Sequence, residues 1–219
     1  MNIFITGTDT EVGKTYVTCL LLRALREAGH DAVGFKPISC GDRDDAVALA
    51  DASGLDPSPE SPDLDRINPV HYPTPVAPFA AAQLANHPVD LNHILAAHQT
   101  LATHHEIVLV EGVGGWEVPL SESQTLADLA QSLGLPVLLV VANRLGALNH
   151  TLLTAHAIKA RGLTLTGLVL NHLEDTRDTA SISNPQILRQ TLPQTPILTE
   201  ILHEDTTIDP APFLNTIAP

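Results

Sequence analysis

The chain is poor in aromatic residues: four Phe, two Tyr and one Trp make up 3% of its 219 residues. Its core must therefore be mostly aliphatic. Cations are also scarce. Eleven Lys and Arg face 25 Asp and Glu, for a net charge of −14. That balance argues against nucleic acid as a main partner, because phosphate backbones need a basic face. It leaves room for one local basic pocket. Cys19 and Cys40 are the only cysteines. Two thiols without metal-ligand spacing give no disulfide framework and point to a reducing compartment. No apolar run reaches membrane-spanning length, so no membrane partner is expected. The N-terminus enters a strand without a charged leader, so no signal peptide is expected and the cytoplasm is the expected location. Eleven histidines are scattered, with His104-His105 as the only adjacent pair. None has zinc spacing, and surface positions are expected for them.

What is present begins at the first residue. Met1 to Thr6 reads as a short apolar strand. Gly7-Thr8-Asp9-Thr10-Glu11-Val12-Gly13-Lys14-Thr15 follows, and a periodic apolar segment starts at Tyr16. Strand, glycine-bounded loop ending in Gly-Lys-Thr, and helix form the layout of a phosphate-binding P-loop. Backbone N–H groups at the helix start favour anions. Lys14 adds a positive charge for the β/γ-phosphates, and the Thr15 hydroxyl is a hard ligand suited to Mg²⁺. Five residues, rather than the usual four, separate Gly7 from Gly13.

Periodicity predicts helices over 14–28, 43–52, 78–85, 91–103, 125–133, 147–161 and 185–192, and a short one around Phe213-Leu214. Strands are expected at 31–35, 106–112, 136–142, 163–170 and 196–198. Pro57, Pro59, Pro62, Pro69, Pro73, Pro75 and Pro78 mark Leu55 to Pro78 as a long surface excursion. Apolar strands alternating with helices predict an α/β fold: one P-loop NTPase domain over 1–219, its sheet mainly parallel, with helices on both faces. In such sheets ligands bind beyond the carboxyl ends of the strands.

That rule selects candidates. Lys36 follows the second strand and brings a cation to the P-loop rim. Glu111 follows Ile107-Val108-Leu109-Val110, at the position where P-loop proteins hold a metal-organising acid. Gly112, Gly114 and Gly115 let backbone approach a ligand. Trp116 is expected in the core, and so is Cys19. Asp42, Asp44 and Asp45 open a helix, where acids commonly serve as caps; the pattern does not choose among them. Asn171 ends the Leu163–Leu170 strand, where an amide can meet a base edge or cap the turn. Asn171-His172-Leu173-Glu174 lacks the Lys and Asp of a guanine-reading element.

The chain resembles the dethiobiotin synthetases over nearly its whole length. The residues that carry the likeness are Gly7 to Thr15, Lys36-Pro37-Ile38, Asp45-Ala46-Val47-Ala48-Leu49, Val110-Glu111-Gly112-Val113-Gly114-Gly115-Trp116 and Leu145-Gly146-Ala147-Leu148-Asn149-His150. The five-residue loop spacing is itself a trait of that family. The resemblance implies a homodimer that joins 7,8-diaminononanoate, CO₂ and ATP through a carbamate and a carbamic-phosphoric anhydride. It implies catalytic roles for Lys14 and Lys36, and Mg²⁺ on Thr15, Asp45 and Glu111, which selects Asp45 from its cluster. Nucleotide contacts are implied for Glu11, Val12, Gly13, Lys14, Thr15, Tyr16, Gly112, Val113, Gly114, Asn171 and His172. Thr10, Cys40 and Asn149 fall on the substrate side, Asn149 at a helix N-terminus offered to the partner subunit's substrate. Cys40 stands where the family usually has Ser or Thr, beside Ser39. Phe79 replaces a common His, and Thr199-Glu200-Ile201-Leu202 replaces Gly-Glu-Ile-Pro. An ATPase switch of the partitioning type is the alternative, but Thr8 occupies the place of the extra lysine such switches often carry. An amidotransferase-type ligase would need a further glutaminase domain.

Overall fold

A computed structural model describes residues 1–217. Its centre is a sheet of six strands, β1 (Asn2–Gly7), β2 (Ala32–Phe35), β5 (Ile107–Gly115), β6 (Val137–Ala142), β7 (Leu165–Asn171) and β8 (Ile197–Ile201). They lie in the order β2-β5-β1-β6-β7-β8. Each neighbouring pair is parallel. A parallel sheet brings every carboxyl end to one rim. Gly7, Phe35, Gly115, Ala142, Asn171 and Ile201 therefore share an edge, which is why residues distant in sequence can share a site.

The strands are apolar because both faces are covered. Consecutive residues point to opposite faces, yet every residue of β6 is buried. Ile107 to Val110 of β5 and Leu168 to Leu170 of β7 are fully enclosed as well. The covering helices include α1 (Lys14–Glu27), α2 (Asp44–Ala52), α5 (Leu91–His104), α6 (Leu126–Leu133), α7 (Ala147–Ala160) and α8 (Thr179–Thr191). Helices α4 (Pro78–Ala85) and α9 (Ala211–Ile217) complete this set with α3, below. Trp116 is buried and meets Phe4 edge-on, with ring centroids 6.3 Å apart. Cys19 is buried on α1, and burial pushes its thiol up to about 12.

Three expectations need correction. The 55–78 stretch is more than a surface excursion. It contains α3 (Pro62–Ile67), opened by a Ser61 cap with Pro62 at the first position, and β4 (Val70–Tyr72). Strand β4 pairs in parallel with β3 (Ile38–Cys40). These elements are too short to show a period. Second, α8 starts at Thr179, six residues before Pro185. Proline cannot donate to the carbonyl four residues back. That carbonyl, on Ser181, instead accepts the Asn143 amide at 2.9 Å, so a buried side chain far in sequence lets the helix run through. Third, not all histidines are on the surface: His98 and His172 are buried.

Candidate active site

The P-loop takes its shape from two left-handed residues. Gly13, the α1 cap, has φ 86°, and Glu11 has φ 55°, a conformation that L side chains rarely adopt. Such strain occurs where backbone N–H groups are turned toward one point. The Lys14 ammonium donates to the Asp9 carbonyl at 3.0 Å. Burial, and then the nearby Lys36 charge, lower the Lys14 pKa to about 8. A cation at that place in such a loop can receive phosphate.

Beside it lies a cluster of charges. Lys36, 3% exposed, places Nζ 2.6 Å from Asp45 Oδ2 and 2.6 Å from Glu111 Oε1. The Thr15 hydroxyl is 2.8 Å from Asp45 Oδ1 and 2.8 Å from Glu111 Oε1. Burial opposes the Lys36 charge, but Glu111 and Asp45 outweigh it and hold its pKa above the ordinary value. Burial would likewise raise Asp45, yet Lys36 and its hydrogen bond keep that carboxyl low. Asp42 and Asp44 take no part. Asp42 accepts the Asp44 N–H at 3.3 Å and serves the helix start.

Glu111 is fully enclosed, and its Oε2 has no partner. A bare carboxylate oxygen in a buried site is costly. Two carboxylates and a hydroxyl are the hard oxygen set that Mg²⁺ accepts while keeping water and phosphate as its other ligands. The residues present therefore fit that ion. Among the described residues no group of three His, Cys, Asp or Glu offers another metal site.

Thr10, Glu11, Gly13, Lys14, Thr15, Lys36, Asp45, Val113 and Gly114 line one cleft of about 390 Å³. A second cleft of about 270 Å³ adjoins it at Gly13 and is lined by Tyr16, Asn171, His172, Leu173 and the Leu202–Glu204 turn. At that junction Asn171 lies against the loop, and its Nδ2 donates to the Val12 carbonyl at 3.0 Å. A Cβ on Gly13 would lie 2.1 Å from that same nitrogen. The Tyr16 hydroxyl donates to the Asp205 carbonyl and ties the late turn to α1. Gly112 serves packing, for a Cβ there would meet Leu126 at 2.8 Å.

Val12, Glu111 and Gly112 lie behind the lining of these clefts, and Cys40 and Asn149 also lie outside it. Cys40, half-buried at the end of β3, lines neither. Burial raises its thiol pKa, against the opposing Lys36 charge. Ser39 cannot take its place at the rim, because its buried hydroxyl donates to Asn68 Oδ1 at 2.8 Å. Asn149 is exposed in the first turn of α7, whose cap is the left-handed Gly146.

Sequence reasoning missed a set of buried amides. Asn143 Nδ2 is 3.2 Å from His172 Nε2, and Asn184 Nδ2 donates to Asn143 Oδ1 at 2.9 Å. Together they fix the ring that faces the second cleft. Asn143 directly follows the β6 strand, so the strand-end rule could have found it. Asn184, in mid-helix, gave no signal.

Comparison with known proteins follows the same lines. An AAA domain family model matches residues 1–211. The ATP-dependent dethiobiotin synthetase of Akkermansia muciniphila is 49% identical over 92% of each chain. That of Aromatoleum aromaticum is 47% identical over 78% of this chain and 77% of its own. That of Anaeromyxobacter sp. strain K is 44% identical over 90% and 87%. Among solved structures, the MinC:MinD cell division complex of Aquifex aeolicus superposes with a TM-score of 0.61 at 15% identity, covering 93% of this chain and 81% of that one. The septum site-determining protein MinD with Mg-ADP from Pyrococcus horikoshii gives 0.59 at 20% identity, covering 99% and 86%. At such identities these structures share the fold alone.

Proposed function

The chain belongs to the ATP-dependent dethiobiotin synthetase family, and on that premise we propose how its two clefts divide the work of an ATP-dependent cyclo-ligase. The triphosphate lies on the P-loop, with Lys14 leaving the Asp9 carbonyl for the phosphates. The base and ribose occupy the second cleft, against Asn171, His172 and Tyr16. The diamine enters past Thr10 and Cys40, on the Lys36 side.

One amine of 7,8-diaminononanoate captures CO₂ and releases a proton, giving a carbamate. A carbamate oxygen attacks the γ-phosphorus and displaces ADP, leaving a carbamic-phosphoric anhydride. The second amine then attacks the carbonyl carbon. The ureido ring closes, phosphate leaves with the bridging oxygen, and the amine proton is lost. The difficulty is charge, since an anion must approach a polyanion. Lys36 lies at the junction of the two and screens both, and Lys14 stabilises the transferring phosphoryl group from the loop side. Thr15, Asp45 and Glu111 would hold Mg²⁺, which supplies further charge neutralisation of the phosphates. Glu11, Val12, Gly13, Val113 and Gly114 shape the backbone around the nucleotide, and Gly112 seats that backbone against Leu126 and Phe4.

The observation that carries this reading is the buried Lys36–Glu111 pair at the P-loop rim, 2.6 Å apart. Burying two charges rarely stabilises a fold, and their place at the strand ends is where chemistry occurs. We also propose a homodimer in which Asn149 and the α7 N-terminus receive the substrate carboxylate bound by the partner subunit. In support, Asn149 is exposed and lines neither cleft, and Leu145 beside it is 82% exposed. The whole 1–219 chain is read as one domain acting in the cytoplasm. Purified protein given Mg-ATP, bicarbonate and the diamine is expected to form a ureido product and to release ADP only with all three present. ATP turnover that ignores the diamine and answers to a protein or DNA partner would favour the switch reading instead.

A further inference from the structure

Asn68 sits in the proline-rich stretch, between α3 and β4, and is 2% exposed. All of its hydrogen-bonding capacity is used. Nδ2 donates to the Lys36 carbonyl at 2.8 Å and to the Val70 carbonyl at 3.3 Å. Oδ1 accepts from Ser39 Oγ at 2.8 Å and from Arg43 Nε at 3.0 Å. Arg43 returns a bond to the Asn68 carbonyl at 3.1 Å and another to the Leu64 carbonyl at 3.1 Å. The Lys36 N–H donates to the Ile67 carbonyl at 2.7 Å.

These bonds meet at two places that matter. Lys36 lies at the end of β2. Arg43 caps α2, two residues before Asp45. One side chain therefore grips both the strand end that carries the ammonium and the helix start that carries its carboxylate. We propose that Asn68 is a positioning residue for phosphoryl transfer, setting the 2.6 Å spacing between Lys36 and Asp45 from behind the cluster. It touches neither substrate nor nucleotide and acts through Lys36 and Arg43. The inference rests on the functional reading above.

The chemistry of an amide explains the choice of residue. Asn supplies two donors and two acceptor sites in one plane. Asp at this position keeps the bonds from Ser39 and Arg43 but sets its second oxygen, in place of Nδ2, against both the Lys36 and Val70 carbonyls. The strand end is then pushed from its place with little change in side-chain volume. Misplacement of reacting groups by about 1 Å can cost on the order of 100-fold in rate.

The test compares Asn68→Asp with wild type, well below the melting temperature of each and with circular dichroism to confirm the fold. Expected is a fall in kcat of roughly 30-fold or more, with the diamine KM and the Kd of a non-hydrolysable ATP analogue within about threefold. A role confined to stability would lower the melting temperature and leave kcat alone, which would overturn the proposal. So would a loss carried wholly by nucleotide affinity. If Asn68→Asp does not fold, Arg43→Lys keeps the cation and removes the Nε bond; a kcat loss of about threefold to tenfold at unchanged KM is expected, and wild-type kcat overturns the proposal. A wild type that makes no ureido product would overturn the functional reading and this inference with it. A working wild type beside an unaltered variant overturns this inference alone.

Discussion

The cleft proposed for the phosphates is built around charges, with Lys36 and Glu111 deeply buried, and the cleft proposed for the base is organised by amides. Lys36, Glu111, Asp45 and Lys14 crowd the first; Asn171, Asn143, Asn184 and the His172 ring organise the second. The difference fits what each would do on the proposed reading. Charge that develops during phosphoryl transfer is best met by fixed charges in an enclosed site. A base needs shape and a few hydrogen-bond edges, which amides supply without the desolvation cost of ions. The two regions meet at Gly13, where the loop backbone passes under the Asn171 amide.

Breaking the charged side has the largest expected effect. Lys36→Ala should reduce kcat by roughly 10³-fold or more, with ATP binding mostly retained. It also leaves Glu111 enclosed without its cation, which should cost about 3–5 kcal/mol of stability in denaturant titrations. Wild-type turnover in this variant would remove Lys36 from the mechanism. Gly13→Ala attacks the junction, since the new Cβ meets Asn171 Nδ2 and the backbone φ is 86°. Nucleotide affinity by calorimetry should fall about 100-fold, through the strained φ and the displaced amide together. An unchanged affinity would show that the two clefts are not joined there.

On the neutral side the effect should be smaller and of another kind. Asn171→Ala removes one buried hydrogen bond and the edge proposed to face the base, so the KM for ATP should rise about tenfold with kcat nearly unchanged. A matching fall in kcat would mean the amide acts in the chemical step and the division drawn above is wrong. Cys40→Ser sharpens the outer limit of the charged side. Cys40 lines neither cleft, and a hydroxyl is the better hydrogen-bond donor. Steady-state activity should be retained or improved, and an inactive variant would give the thiol a chemical role.

The sequence exposed these two sides unequally. Gly-Lys-Thr after a strand, Lys36 and Glu111 were legible because charged residues at the ends of apolar strands stand out against their surroundings. Asp45 was not separable from Asp42 and Asp44 by pattern; only the resemblance chose it, and the Thr15 and Lys36 hydrogen bonds agree with that choice. Asn68 and Asn184 left no trace, and Asn143 left only its place at the end of β6. An amide acts through partners, and all of theirs but Val70 lie 25 to 41 residues away. The start of α8 was hidden for a related reason: Pro185 marks a boundary unless a remote side chain satisfies the freed carbonyl, as Asn143 does. The short pair β3 and β4 lay within three-residue strands that no periodicity can reveal.

The central claim is that the charged side delivers a carbamate oxygen to the γ-phosphorus. It is tested by following that oxygen. With ¹⁸O-labelled bicarbonate, Mg-ATP and the diamine in a short incubation, phosphate released by the enzyme should carry one ¹⁸O, seen as an isotope shift in its ³¹P resonance, and the ureido carbonyl should carry the other. Ureido product formed alongside unlabelled phosphate would contradict the account, because the phosphoryl group would then have been taken by water and not by the carbamate.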